Sequence, residues 1–253
     1  MAAPATSLAP LQFPDGSASY TSPSGDQILA SVNGPIEATR RETQKPEEAT
    51  IEVFVKPGVG AGGVGERYVE GVLRGILTRV ILTHERVMAR RGIVVTLAVL
   101  KNKCTDGKVA DRGGSYLPIL PSLLNAALLA LLSAAIPLSM TYTSTIIAVS
   151  TSNDLTPNPS PRNIDSASSV HVLAFSSKGH LLLNESKGSF DLDTWDRVFE
   201  FAKSVCRGEA AAKLDEGADV DMEAAADNSL EHFVRETVED KLRRDLSWKI
   251  AAV

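Results

Sequence analysis

The run Gly60-Ala61-Gly62-Gly63-Val64-Gly65 matches G-x-G-x-x-G letter for letter, between a strand-like stretch and a helix-like one. Such a run brings backbone close to a pyrophosphate and offers it a helix N-terminus, which is dinucleotide-binding chemistry. Three features count against that chemistry here. The preceding stretch Thr50-Ile51-Glu52-Val53-Phe54-Val55 alternates, whereas a first Rossmann strand is central and almost continuously apolar. Lys56-Pro57-Gly58-Val59 separates strand from glycines, where the fingerprint needs a tight turn. Lys101-Asn102-Lys103 stands at the end of the next strand, where a ribose-binding carboxylate belongs. The plain reading is a flexible turn into a helix, with no cofactor.

Other reactive side chains are scattered. His171 and His180 fall on the two arms of a hairpin and could face each other, but no carboxylate or cysteine accompanies them at ligand spacing. Core or edge histidines are expected, and no metal. His84 and His232 read as solvated residues of helices. Cys104 and Cys206 make neither a disulfide framework nor a metal cluster, which suits a reducing compartment. No nucleophile-elbow motif is present. A net charge of −5 argues against strong autonomous nucleic-acid binding, so any such contact is expected to be local.

The elements that position these residues follow from periodicity and breakers. With 253 residues, 43% of them hydrophobic, the chain can bury one substantial core. Residues 1–12 lack a basic n-region and an apolar stretch, and read as a disordered lead-in. Residues 15–36 form a hairpin around Ser22-Pro23-Ser24-Gly25-Asp26, and Arg40 to Glu48 is a charged loop. Residues 49–56 read as a half-exposed antiparallel strand, with Ile51, Val53 and Val55 facing inward. A long helix is expected from Glu66 to about Arg90, with Val69, Val72, Leu73, Ile76, Val80 and Val87 on its apolar face. Ile93–Leu100 reads as a buried strand, and Lys101 to Gly114 as a loop.

Ser115 to Asn153 contains no charged residue, and Leu117–Leu138 is long and apolar enough to suggest a membrane span. Pro118, Pro121, Asn125 and Ser133 interrupt it, and its flanks lack basic anchors. A buried central helix over Ser122–Ala135, with no membrane, is the expectation. A strand at Thr145–Ser150 follows, then a flexible loop at 151–169 rich in Ser, Pro and Asn. Val170–Phe175 and His180–Asn184 form a second hairpin. Helices are expected from about Thr194 to Val205, capped by Asp191-Leu192-Asp193, and over Ser229–Trp248. Residues 208–228 are acidic and alanine-rich and read as an insertion. The order of elements is α+β, and 13–253 read as a single domain.

Asp15-Gly16-Ser17-Ala18 opening a hairpin, Asn33-Gly34-Pro35 closing it, and the alternating strand before the long helix together resemble the RNase PH superfamily of phosphate-dependent 3′→5′ exoribonucleases. The resemblance spans roughly residues 13–206 and resumes at 229. It implies the RNase PH-type fold (ribosomal protein S5 domain 2-like), with mixed sheets packed against central and flanking helices. Phosphorolysis needs cations and donors to hold phosphate, and a carboxylate acting near the scissile bond. Active members carry an arginine in a "GRSLR"-like helix, another in a "GGTRTA"-like turn, and aspartates in an "ADVD"-like strand. Here Glu70-Gly71-Val72-Leu73-Arg74 keeps Arg74 but puts Gly71 at the phosphate-binding position. Gly113-Gly114-Ser115-Tyr116 puts Tyr116 where the second arginine belongs, and no arginine lies between Ser115 and Pro161. Ser168 and Val170 stand where the aspartates belong, with Asp165 nearby at the wrong offset.

RNase PH-like chains without these groups are characteristic of the eukaryotic RNA exosome, whose six-membered ring is capped by S1/KH proteins. The resemblance therefore implies a non-catalytic ring subunit, paired with other RNase PH-like subunits and threading single-stranded RNA to a separate nuclease. It places the chain in the nucleus and nucleolus, and also in the cytoplasm. Lys56, Arg67, Arg74 and Arg112 are the candidate RNA-phosphate contacts, against the plainer reading of solvated charges. An active phosphorolytic exoribonuclease is the alternative.

Overall fold

The computed structural model describes residues 3–37, 47–58, 60, 62–102, 116–208 and 229–250. The expected acidic insertion (208–228) falls almost wholly outside these residues, as does Arg112.

The first sheet has the order β1-β2-β3-β5-β4, from β1 (Ala5–Leu8), β2 (Gly16–Thr21), β3 (Gln27–Glu37), β4 (Thr50–Lys56) and β5 (Arg91–Lys101). The two residue signatures at its start meet in space. Asp15 Oδ2 accepts the Gly34 amide at 2.8 Å, so the hairpin's opening turn holds its closing strand. Gly16 lies against backbone and side chain of Ala134, where any Cβ would collide.

Two strand expectations are corrected in this half. Residues 5–8, within the expected disordered lead-in, form β1, pairing antiparallel from Ala5↔Thr21 to Leu8↔Ala18. The free edge of β2 supplies the hydrogen bonds, with Thr6 Oγ1 donating to Ser19 O at 2.8 Å, so the segment needs no hydrophobic run of its own. β4 pairs parallel, not antiparallel, with β5 from Thr50↔Gly92 to Lys56↔Ala98. Its alternation reports that one face is buried and says nothing of direction. The crossover between β4 and β5 is α1 (Val64–Val80), as a parallel pair requires.

α1 buries Val69, Leu73, Ile76, Leu77 and Val80 against β4 and the core. It stops ten residues before the expected end at Arg90, because tertiary pairing captures the backbone. Ile81 bridges Leu138, the Leu82 amide donates to Pro137 O at 3.1 Å, and the Ser139 amide to Val80 O at 2.8 Å. Val87 consequently lies outside the helix and is exposed.

The apolar run folds as α2 (Leu120–Ser133), with every residue from Leu120 to Leu131 buried. It packs on β2 and β3 of the first sheet and on β6 (Tyr142–Val149) of the second. No described helix is long and apolar enough to cross a membrane. Asn125 is the polar register pin within this helix. Its Nδ2 donates to Ser144 O and its Oδ1 accepts the Ser144 amide, both at 3.0 Å, so its burial is compensated.

The second sheet has the order β7-β6-β8-β9, all antiparallel, with β7 (Leu155–Pro157), β8 (Ser169–Ser176) and β9 (Leu181–Gly188). The expected flexible loop at 151–169 instead holds β7 and the short helix α3 (Pro161–Ser166), capped by Ser160. Proline at the first helical turn and serine before it are helix-start signals, which composition alone obscured. α4 (Leu192–Arg207) places Val198, Ala202 and Cys206 against Ile147, Val149, Leu173 and Phe175 on the sheet's outer face. α5 (Leu230–Asp245) starts at Ser229, whose side chain accepts the His232 amide, and α6 (Ser247–Ile250) follows. α5 reaches α2, α4 and β1, and Lys241 Nζ donates to Ser133 O and Oγ at the end of α2.

Candidate functional site

The positions matched to phosphate chemistry lie on α1, just before α2 and at the start of β8. Glu66 is the residue that closes the helix end. Its Oε2 accepts the Gly63 amide at 2.7 Å, and its Oε1 accepts the Tyr116 hydroxyl. Tyr116 lies so close over Gly65 that a Cβ there would strike the ring. Burial opposes charge on Glu66, but hydrogen bonds from Tyr116, its own amide and the Gly63 amide outweigh it, so its carboxyl titrates below the ordinary range. Burial, and then the bond to Glu66, raise the Tyr116 phenol. The positive end of α1 thus faces a carboxylate of its own chain. A phosphate approaching it meets negative charge.

Gly71 is exposed further along α1, with nothing within 4 Å of where its Cβ would stand. No side chain reaches from this position toward an anion. Ser168 donates through Oγ to Ser189 O at 3.2 Å, and Val170 is buried in the core. Asp165 is exposed on α3. Tyr68 joins α1 to β9, its hydroxyl donating to Glu185 Oε1 at 3.1 Å. That bond, with a smaller effect of burial, raises the Tyr68 pKa.

The two hairpin histidines do not face each other. His180 lies in the turn, where its amide donates to Ser176 Oγ at 3.0 Å. His171 is fully buried opposite Ser186. Ser186 Oγ donates to Asn184 Oδ1, so it accepts from His171 Nδ1, and Nε2 is left to accept from Ser169 Oγ at 2.9 Å. Burial lowers this imidazole's pKa. Among the described residues no three ligating side chains gather to hold a metal. Cys206 is buried, and burial pushes its thiol up to about 12, which leaves it unreactive.

Of the candidate RNA contacts, Arg67 and Arg74 are brought to one exposed face of α1, two turns apart. Arg67 Nη1 pairs with Glu70 Oε2 at 3.0 Å. Lys56 is exposed at the end of β4, next to Val55, whose amide donates to Glu70 Oε1 at 2.9 Å. Sequence reasoning missed Glu66, Tyr68, Glu185 and the serines around His171. Only Glu66 carried a local signal, a carboxylate three residues after the helix cap.

No family model matches the chain. It is 29% identical over 204 residues to the exosome complex component RRP46 of Saccharomyces cerevisiae, covering 78% of this chain and 87% of that protein. The crystal structure of rice (Oryza sativa) Rrp46 superposes with a TM-score of 0.72 at 24% identity, over 93% of this chain and 94% of the other. The Archaeoglobus fulgidus exosome with RNA bound to the active site gives 0.59 at 14% identity, over 79% and 84%. An archaeal exosome core gives 0.62 at 12% identity, over 79% and 82%. The chain therefore has the RNase PH-type fold of exosome core subunits, and its sequence is similar to that of yeast RRP46.

Proposed function

We propose that this chain is a non-catalytic structural subunit of the RNase PH-like ring of an RNA exosome, supporting 3′→5′ RNA processing and degradation by scaffolding and threading. The observation that carries the reading is the Glu66–Tyr116 pair. A phosphate-dependent nuclease needs cationic donors at this place, and the chain has a carboxylate held by a phenol. Gly71 and Val170 add neutral groups at the other matched positions, with no carboxylate to assist the departing sugar oxygen.

The similarity to yeast RRP46 and the fold shared with archaeal exosome cores support a place in the ring. On this reading other RNase PH-like subunits flank the chain, S1/KH proteins cap the ring, and a separate nuclease receives the RNA. Lys56, Arg67 and Arg74, with Arg112, contact backbone phosphates without reading bases. The chain works in the nucleus and nucleolus, and also in the cytoplasm.

Two measurements test the reading together. Affinity purification of the tagged chain, inventoried by mass spectrometry, recovers other RNase PH-like subunits. The purified chain, given single-stranded RNA and inorganic phosphate, releases no nucleoside diphosphates. Phosphate-dependent release that survives purification overturns the non-catalytic assignment, and recovery of the chain alone overturns the ring.

A further inference from the structure

Ser22, Thr156 and Ser160 each stand directly before a proline, and the fold treats the three differently. Ser22 is buried in the turn between β2 and β3, with its hydroxyl 2.8 Å from that of Ser24. Thr156 sits within β7, opposite Ala148 of β6. Ser160 is exposed. Its backbone is extended, at φ −70° and ψ 160°, the conformation that a following proline favours.

The Ser160 hydroxyl also has a proton to give. Nearby hydroxyls are committed as donors: Ser152 to Asp154 Oδ2, Ser166 to Arg162 O and Ser168 to Ser189 O. Among the described residues Ser160 Oγ only accepts, from the Asn163 amide at 3.4 Å.

The stretch that carries this hydroxyl can open without disturbing either sheet. It is tied to β6 at both ends. The Asn158 amide donates to Ile146 O at 3.0 Å, and the Ser168 amide to Val149 O at 2.8 Å. Between those ties α3 buries none of its six residues, and Ile164 is its one half-buried anchor against the core. A segment with so few buried contacts opens locally at small cost. Residues 159–163 can therefore lie extended in an enzyme's cleft while β6 and β8 stay paired. Arg162 is exposed two residues beyond the hydroxyl and offsets added negative charge.

We propose that Ser160 is a phosphorylation site, the acceptor for a proline-directed protein kinase. In the transfer Ser160 Oγ attacks the γ-phosphorus of ATP and an oxygen–phosphorus bond forms. The bond from that phosphorus to the bridging oxygen breaks, ADP leaves, and the hydroxyl proton passes to a carboxylate of the kinase. The product adds about −1.5 to −2 charge at neutral pH. This goes beyond the ring assignment and does not depend on it, because phosphate uptake is read on the chain itself.

The full chain is incubated with magnesium, ATP and, separately, a mitogen-activated and a cyclin-dependent protein kinase, and the site is mapped by fragmentation mass spectrometry. One phosphoryl group should enter at Ser160, with Ser22 and Thr156 unmodified. Ser160→Ala should abolish uptake. Pro161→Ala keeps the hydroxyl and should slow uptake about tenfold or more. Circular dichroism verifies that both variants and the labelled wild type are folded. Chain isolated from its own proliferating cells should carry the same mark, removable by phosphatase. A wild-type chain that takes up no phosphate from either kinase overturns the proposal. So does uptake at Ser22 or Thr156 in place of Ser160, a Pro161→Ala variant modified at the wild-type rate, or cellular chain without the mark.

Discussion

α1 and α2 are neighbours in the same core, yet they are governed by different constraints. α2 is buried on every side from Leu120 to Leu131, and its one amide side chain is tied to Ser144 on β6. α1 buries one stripe and turns Arg67, Tyr68, Gly71, Arg74 and Gly75 to solvent. Packing determines the residues of α2. On α1, the exposed face is free to carry charge, aromatic surface and open space, and glycine there fulfils no packing need within the chain. The contrast separates where stability resides from where surface is left open.

The contrast is broken if substitutions on the two helices cost the same. The largest effect is expected at Leu128→Ala, which removes a fully buried side chain and should cost about 2–5 kcal/mol in urea unfolding. Asn125→Ala should follow, at about 1–3 kcal/mol, because it leaves the buried Ser144 amide without its acceptor. Glu66→Gln at the start of α1 should cost about 1 kcal/mol at neutral pH. Its sign with pH is determinate. The folded carboxyl titrates below the ordinary range, so the ionised group stabilises the fold above the unfolded-state carboxylate pKa and loses that contribution as pH falls through the folded value. The difference between wild type and the glutamine variant should therefore shrink on acidification, read by denaturation at several pH values. A difference that stays constant would show that charge is not the reason.

Gly75→Ala should move the other way, stabilising by about 0.5–1 kcal/mol, since open space surrounds the site and glycine lowers helix stability. Arg74→Ala should leave stability within about 0.5 kcal/mol while reducing RNA crosslinking in the assembled complex. Loss of stability there, with crosslinking unchanged, would return Arg74 to the role of a structural surface residue.

Much of the fold was legible because its signals are local. The hairpin with Asp15 and Gly34, the alternation of β4 and the uncharged run of α2 each declare themselves within a few residues. What was misread depends on distant partners. β1 exists because β2 has an edge to offer, α1 ends where residues 137–139 take its backbone, and the direction of β4 is set by the crossover. At the candidate site, the residue types Gly71, Tyr116, Ser168 and Val170 could be read directly. The arrangement of Glu66 beneath Tyr116 was not, since fifty positions of chain separate the two.

Lys241 reaches the end of α2 from α5, fastening together two helices that are far apart in the sequence. α5 also buries Leu230 in one core cluster and Val234 in the other. A chain cut before residue 230 therefore leaves apolar surface of both clusters open to water.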